Sequence, residues 1–162
     1  MIREITDLDS IRVLEIYKMG IDTCNATFET EVPAWTDWDC KHLKHSRFVY
    51  IEDEKLLGWA ALSAVSARPA YNGVAEVSIY IDTDFIAKGI GSKLMDKVIT
   101  SSEENGIWTL NSSVFPENIA TIKLHEKFGF RIIGFKEKVA RLNGKWRNTV
   151  LLERRSKRQE FN

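Results

Sequence analysis

Apolar residues recur along this chain with two different periods, and these periods divide it into strands and helices. Short apolar or alternating runs bounded by turn residues predict seven strands. The strands cover residues 2–5, 48–52, 56–63, 75–82, 109–114, 132–136 and 146–153. Gly58 interrupts the third of them, which predicts a bulge or a close approach of another backbone at that point.

Apolar residues that recur every three or four positions predict four helices between these strands. The first runs through residues 11–21 from a cap at Asp7 or Asp9, and the second runs from a cap at Thr36 or Asp37 through Leu43. The third carries Leu94, Met95, Val98 and Ile99, and the fourth carries Ala120, Leu124 and Phe128 and ends at Gly129. This alternating order predicts a single mixed α/β domain over residues 1–162, with a basic, solvated tail from about residue 155.

The turn before the third helix is the most informative stretch for chemistry. It reads Lys88-Gly89-Ile90-Gly91-Ser92, and its glycines let consecutive backbone N–H groups converge where the helix dipole favours phosphate. A Walker loop has its lysine after the glycines, and a Rossmann turn has a third glycine where Leu94 stands, so neither motif fits. On its own the turn is equally an ordinary strand–turn–helix connection, and a second block is needed to favour a pyrophosphate-bearing cofactor.

That second block is the helix and glycine stop of residues 118–130. With the turn, it resembles motifs A and B of the GCN5-related N-acetyltransferases (the GNAT family), which bind acetyl-CoA. Four stretches are similar to the phosphinothricin and methionine sulfoximine acetyltransferase branch of that family. They are NATFETE at 25–31, RPAY at 68–71, EVSIYI at 76–81 and LHEK at 124–127.

The resemblance implies a GNAT-like fold with a central, partly antiparallel sheet, flanked by helices and splayed to admit acetyl-CoA. It also implies that the turn amides hold the pyrophosphate and that one strand pairs with the pantetheine arm. The implied cofactor-binding residues are Ile79, Tyr80, Ile81, Ala87, Lys88, Gly89, Ile90, Gly91, Ser92 and Asn118. Helix capping is an alternative role for Asn118. Ile86 stands where the family has Gln or Arg, and this difference predicts a lower affinity for CoA.

Glu76 is the candidate general base. It shares one face of its strand with Ser78 and Tyr80, and strand alternation alone is consistent with an ordinary solvent-facing glutamate. The resemblance favours catalysis, because the phosphinothricin branch carries a catalytic glutamate at this place. A half-buried carboxylate with a raised pKa can take a proton from an ammonium group.

His125 is the second catalytic candidate. Many acetyltransferases have a tyrosine here that protonates the leaving thiolate, whereas this branch has histidine, which can give or relay the proton. A packing role is the alternative. His42 and His45 lie in a charged helical stretch and are predicted to be solvated.

The implied acceptor-binding residues are Phe28, Glu29, Arg68, Tyr71 and Trp146. Arg68 suits a carboxylate or phosphinyl group through its planar fork, and Tyr71 and Trp146 suit apolar walls. Some of these residues come across a dimer interface in this branch, so a homodimer is predicted.

Composition narrows the function classes. Lys plus Arg and Asp plus Glu number 23 each, so the formal charge is zero and gives no electrostatic footprint for nucleic acid or an anionic membrane. Cys24 and Cys40 support neither a disulfide framework nor a metal site, and the chain shows no signal peptide, which predicts a cytoplasmic protein without metal. The resemblance implies acetyl transfer from acetyl-CoA to the amine of a small amino acid or analogue. Acetylation of a protein or peptide, and a non-catalytic acyl-CoA sensor, are the alternatives.

Overall fold

Seven strands form one open sheet in the order β1-β2-β3-β4-β5-β7-β6. The structure, a computed structural model, describes residues 1–162. The strands are β1 (Ile2–Glu4), β2 (Phe48–Glu52), β3 (Lys55–Ala64), β4 (Val74–Ile81), β5 (Thr109–Val114), β6 (Arg131–Leu142) and β7 (Lys145–Arg155). The helices are α1 (Ser10–Asp22), α2 (Trp35–Lys41), α3 (Ile90–Glu104) and α4 (Ile119–Lys127). Only β4 and β5 pair in parallel, which confirms the predicted mixed, partly antiparallel sheet.

Helices cover both faces of the sheet, and the strand alternation decides which residues meet them. On one face the apolar side of α3, including Leu94 and Met95, packs in a cluster of 18 buried residues. On the other face α1 and α2 contribute Val13 and Trp38 to a cluster of 10 buried residues around Trp59. These two clusters are the folding core, because burying apolar area is the main favourable contribution to stability.

The sheet opens at one point, between its two parallel strands. β4 and β5 pair at Val74–Thr109, Ala75–Leu110 and Glu76–Asn111 and then separate. The predicted splay is therefore present, and Glu76 is the last residue of β4 that pairs with β5. Beyond it, residues 77–81 keep their antiparallel pairing with β3 but present a free backbone edge towards β5.

Several local predictions agree with the structure, and others differ for identifiable reasons. A Cβ on Gly58 would lie 2.9 Å from Ile81 Cδ1 and 3.1 Å from the Tyr80 carbonyl oxygen, so the close approach is confirmed. Asp9 is the N-cap of α1, but its carboxylate accepts from Arg3 and from the Thr6 N–H instead of capping the helix. The N-cap of α2 is Ala34, so the predicted cap at Thr36 or Asp37 is wrong.

The prediction of a solvated His42 is wrong, and the predicted solvated tail is exposed at Arg155 and Lys157 but docked at its other basic residues. Arg154 and Arg158 both pair with Glu103 of α3, at 2.8 and 3.2 Å, and Ser156 is buried between them. His42 is buried, with Nδ1 2.7 Å from the Trp38 carbonyl oxygen, and desolvation lowers its pKa to about 4. His45 is half-buried, and its desolvation also lowers its pKa. None of the four helices combines the length and the apolarity that a membrane span needs.

Candidate active site

A cleft of about 350 Å³ occupies the fork between β4 and β5. Its walls come from residues 76–81 of β4, residues 112–114 of β5, the α1–α2 loop and α4. Glu76 and His125, the two residues predicted to be catalytic, both line it, as do Phe28 and Glu29. The fold thus brings together residues that are up to 97 positions apart, from His125 back to Phe28.

Glu76 sits where the cleft begins. Glu76 is an exposed residue and not the half-buried one expected, yet the surrounding protein removes enough hydration to raise the pKa of its carboxyl. The charge of Lys41 acts in the opposite direction and favours the ionised form. A carboxylate with a raised pKa in a cleft has the properties of a proton acceptor for an ammonium group.

His125 lies on the opposite wall with one ring nitrogen engaged and the other free. Its Nδ1 is 2.8 Å from the carbonyl oxygen of Thr121, which makes Nδ1 the protonated nitrogen of the neutral ring. Its Nε2 is buried and has no hydrogen-bond partner, and burial lowers the pKa of the imidazole. The ring is therefore neutral near pH 7, and Nε2 offers a lone pair.

Asn118 has both ends of its side chain engaged within the protein. Its Oδ1 accepts from the Thr121 N–H at 3.2 Å and so caps α4, and its Nδ2 donates to the Asn25 carbonyl at 3.1 Å. Asn118 also lines the cleft. The capping alternative is therefore realised, and the same side chain ties the α1–α2 loop to α4.

The backbone of the turn before α3 has a conformation that suits a bound pyrophosphate. Ala87 and Gly89 both have positive φ, 65° and 77°, and a Cβ on Gly89 would meet no atom within 4 Å. The Lys93 N–H makes the first backbone hydrogen bond of α3, to the Gly89 carbonyl. The N–H groups of Ile90, Gly91 and Ser92 therefore have no partner within the helix. Successive free amides around a left-handed residue form an anion-binding nest. The position that a Gly89 side chain would occupy is open space.

Two lysines stand close to this turn, and the sequence prediction included only one of them. The Lys88 ammonium lies 4.6 Å above the Phe85 ring, beside the turn. The Lys127 ammonium donates to Ser92 Oγ at 3.1 Å, although Lys127 belongs to α4. Ile86 is 60% exposed, so the position where the family has Gln or Arg is open to solvent here.

The predicted acceptor residues divide into two groups. Phe28 and Glu29 line the cleft, and the Phe28 ring packs edge-on against Phe115 with centroids 4.9 Å apart. Arg68, Tyr71 and Trp146 do not line the cleft of their own chain. All three are exposed, with Arg68 and Tyr71 on the β3–β4 connection and Trp146 at the start of β7 under the Arg141 guanidinium.

Two residues that sequence reasoning missed shape the cleft. Lys41, the last residue of α2, lines it opposite Glu76, and none of the ion pairs of the fold involves it. Arg147 of β7 donates to the carbonyl of Cys24 at 2.8 Å and so holds the α1–α2 loop over the cleft. Nothing in the sequence indicated a role for either residue, because a single lysine in a charged helix or a single arginine in a strand is normally solvated.

This chain is similar over most of its length to known proteins. The family model described as an acetyltransferase (GNAT) domain matches residues 2–151. The protein YwnH of Bacillus subtilis (strain 168) is 33% identical over 147 residues, which cover 88% of this chain and 90% of that protein. A phosphinothricin N-acetyltransferase of Alcaligenes faecalis is 32% identical over 160 residues, covering 94% of this chain and 81% of that enzyme.

Solved structures share the fold. The GNAT superfamily phosphinothricin acetyltransferase of Sinorhizobium meliloti, solved in complex with acetyl-CoA, superposes with a TM-score of 0.87 at 23% identity. The match covers 96% of this chain and 87% of that one. The resemblance of the two sequence blocks is thereby confirmed, and the chain belongs to the GNAT acetyltransferases, enzymes that transfer an acetyl group from acetyl-CoA.

Proposed function

We propose that this enzyme acetylates the amine of a small amino acid or amino-acid analogue of the phosphinothricin or methionine sulfoximine type. The proposal rests mainly on the position of Glu76, a carboxylate with a raised pKa at the point where β4 separates from β5. The cleft in front of it carries both signs of charge, with Glu29 and Glu76 as anions and Lys41 as the cation. That combination suits a zwitterionic acceptor, which brings one ammonium and one carboxylate.

Glu76 is the proposed general base. An acceptor amine is protonated at neutral pH and has no lone pair for attack until the proton leaves. The Glu76 carboxylate takes this proton, directly or through one water, and its raised pKa brings it closer to the pKa of the amine. The neutral nitrogen then attacks the thioester carbonyl.

The free edge of β4 is the proposed binding surface for the pantetheine arm. Residues 77–81 include the predicted Ile79, Tyr80 and Ile81, and every second amide of such an edge points away from β3. One of these N–H groups donates to the thioester oxygen as it gains negative charge. The turn from Ala87 to Ser92 holds the pyrophosphate through its free amides, with Lys88 and Lys127 beside it.

His125 is the proposed proton relay. With Nδ1–H held by the Thr121 carbonyl, the neutral ring accepts the second proton of the attacking nitrogen at Nε2. The resulting imidazolium passes that proton to the departing sulfur, which leaves the histidine neutral again. The lowered pKa of His125 favours this release.

Arg68, Tyr71 and Trp146 are proposed to act at the cleft of a second copy of the chain, across a dimer interface. β6 is the free outer edge of the sheet and exposes Ile132, Ile133, Phe135 and Val139, with Trp146 on the adjacent strand. An exposed apolar edge strand is a typical interface.

We expect light scattering to give twice the mass of one chain, and Phe135→Asp to reduce it to that of one chain. A single-chain mass for the unaltered protein would exclude the dimer.

The acceptor class is tested by thiol release from acetyl-CoA with a panel of acceptors. The panel contains methionine sulfoximine, phosphinothricin, free amino acids, polyamines and short peptides. We expect turnover with the first two and with few of the others. Turnover of peptides alone would assign the enzyme to protein modification, and CoA binding without any turnover would favour an acyl-CoA sensor.

The nest at the α3 N-terminus is tested with a matched pair of glycines. Gly89 and Gly106 flank the two ends of α3, have φ of 77° and 80°, and have open space where a Cβ would stand. Alanine at either position strains the backbone by about 1 kcal/mol. We expect Gly89→Ala to weaken CoA binding about ten-fold in calorimetry, because alanine disfavours the left-handed φ of Gly89 that lets the amides converge. Gly106→Ala should lose similar stability and keep its CoA affinity, and equal affinities in both variants would contradict the nest.

A further inference from the structure

We propose that Arg147 of β7 is a positioning residue for the acceptor. It fixes the conformation of the α1–α2 loop, residues 23–34, which carries Phe28 and Glu29 into the cleft. The inference rests on the proposed acetylation of a small amino acid. It goes further by naming a residue that sets the affinity for such an acceptor although it does not line the cleft itself.

The α1–α2 loop depends on the rest of the protein for its shape, because it contains no helix or strand of its own. Within it, Cys24 has a φ of 53°, a left-handed conformation that is uncommon for residues other than glycine. A residue keeps such an unfavourable conformation only where the surrounding contacts hold it. The loop therefore needs a support close to Cys24.

The guanidinium of Arg147 supplies this support. Its Nη1 donates to the Cys24 carbonyl at 2.8 Å, and its Nη2 donates to Asn25 Oδ1 and to Glu117 Oε2, each at 3.3 Å. Because the guanidinium is planar and its donors have a fixed arrangement, these bonds set the direction of the loop as well as its distance from β7. Asn118 also donates to the Asn25 carbonyl, at 3.1 Å, so the loss of Arg147 should loosen the loop without releasing it.

An aromatic contact joins the same guanidinium to the part of the loop that lines the cleft. The guanidinium lies 4.0 Å from the centroid of the Phe115 ring, and the Phe28 ring meets Phe115 edge-on with centroids 4.9 Å apart. Phe28 and Phe115 both line the cleft. Arg147 therefore supports the loop at two places, the backbone of Cys24 and the side chain of Phe28.

Glu29 follows Phe28 directly and brings a carboxylate into the cleft. Burial raises the pKa of the neighbouring Tyr17, and the charge of Glu29 raises it further, in agreement with a carboxylate that faces the cleft. A carboxylate there attracts the ammonium group of an acceptor, and the attraction falls with distance. A loop that loses Arg147 no longer holds Glu29 in place, so the affinity for the acceptor should fall.

The test compares Arg147→Met with Arg154→Met, since both arginines lie on β7 and their side chains are 18% and 20% exposed. Arg154 likewise donates to a carboxylate and to a backbone carbonyl, but outside the cleft. With methionine sulfoximine as acceptor, we expect Arg147→Met to raise KM about ten-fold with little change in kcat or in CoA affinity. Arg154→Met should keep this KM, and Arg147→Lys, which retains a donor, should recover part of the loss. An unchanged KM in Arg147→Met would overturn the proposal.

A double-mutant cycle with Glu29→Gln separates positioning from general damage to the fold. If Arg147 acts through the loop, the two substitutions together should raise KM by less than the product of their single effects. Effects that multiply would show that Arg147 and Glu29 act independently, and would overturn the proposal.

Hydrogen exchange tests the support without any acceptor. The N–H groups of Cys24 and Glu29 are both hydrogen-bonded, so the loop has protected amides to follow. We expect these amides to exchange faster in Arg147→Met than in Arg154→Met. Faster exchange without any turnover of methionine sulfoximine would confirm the support and overturn the proposed acceptor class. Equal exchange in the two variants would overturn the role of Arg147, whatever the enzyme acetylates.

Discussion

Replacing Glu76 with glutamine is expected to slow acetyl transfer by about 10²-fold while acetyl-CoA still binds. Glutamine keeps the shape of the side chain and its place at the end of the β4–β5 pairing, but it cannot take a proton from the acceptor ammonium. The β4 edge and the α3 turn are backbone features, so the variant should keep its CoA affinity in calorimetry. Glu4→Gln is the control, because Glu4 is an exposed carboxylate on β1, outside the cleft.

The pH dependence separates a base from a merely structural carboxylate. Desolvation raises the pKa of Glu76, so the ionised form, which is the competent one, is lost as pH falls through this raised value. The unaltered enzyme should therefore lose kcat/KM on the acidic side with an apparent pKa above that of an ordinary glutamate. Glu76→Gln should lack this acidic limb. An unchanged rate and an unchanged profile in the variant would exclude Glu76 as the base.

The strands and helices could be predicted because their periods follow from local burial. The alternation of β4 placed Val77, Ile79 and Ile81 on one face and Tyr80 on the other, and the structure divides them in that way between the two clusters. The resemblance of the two blocks then located the fork, since the family implies a splay at this strand. The alternation could not show whether the face of Glu76 meets solvent or a cleft. That depends on the α1–α2 loop, which lies far earlier in the sequence.

The environment of α2 could not be predicted, because it is decided by residues far away in the chain. The stretch Trp35–Lys41 is rich in charge, which is typical of an exposed helix, and His42 after it shared that expectation. Trp59 of β3 packs against both Trp38 and His42 and so helps to bury them. The tether from Arg147 to Cys24 joins residues 123 positions apart, and the pairing of the tail with Glu103 is similarly non-local.

Trp59→Ala is expected to lower the free energy of unfolding by about 3–5 kcal/mol. Trp59 is 1% exposed, and its ring contacts Tyr17, Trp38 and Tyr80 with centroids 4.9 to 5.9 Å apart. Truncation removes these contacts, leaves a cavity between α1, α2 and the sheet, and removes the N–H that donates to the Val13 carbonyl. Urea unfolding monitored by circular dichroism measures the change, provided that the slope with denaturant is unchanged.

Ile11→Ala provides the control, because Ile11 is a large apolar residue of α1 that is 74% exposed and should change stability by no more than about 0.5 kcal/mol. A loss below about 1 kcal/mol in Trp59→Ala would mean that the neighbouring rings can close the cavity. Trp59 also supports Tyr80, which lines the cleft, whereas α3 and the turn before it lie on the opposite face of the sheet. At a temperature where Trp59→Ala stays folded, we therefore expect the acceptor KM to rise more than the dissociation constant of CoA, because the turn proposed to hold the pyrophosphate is built on the other cluster.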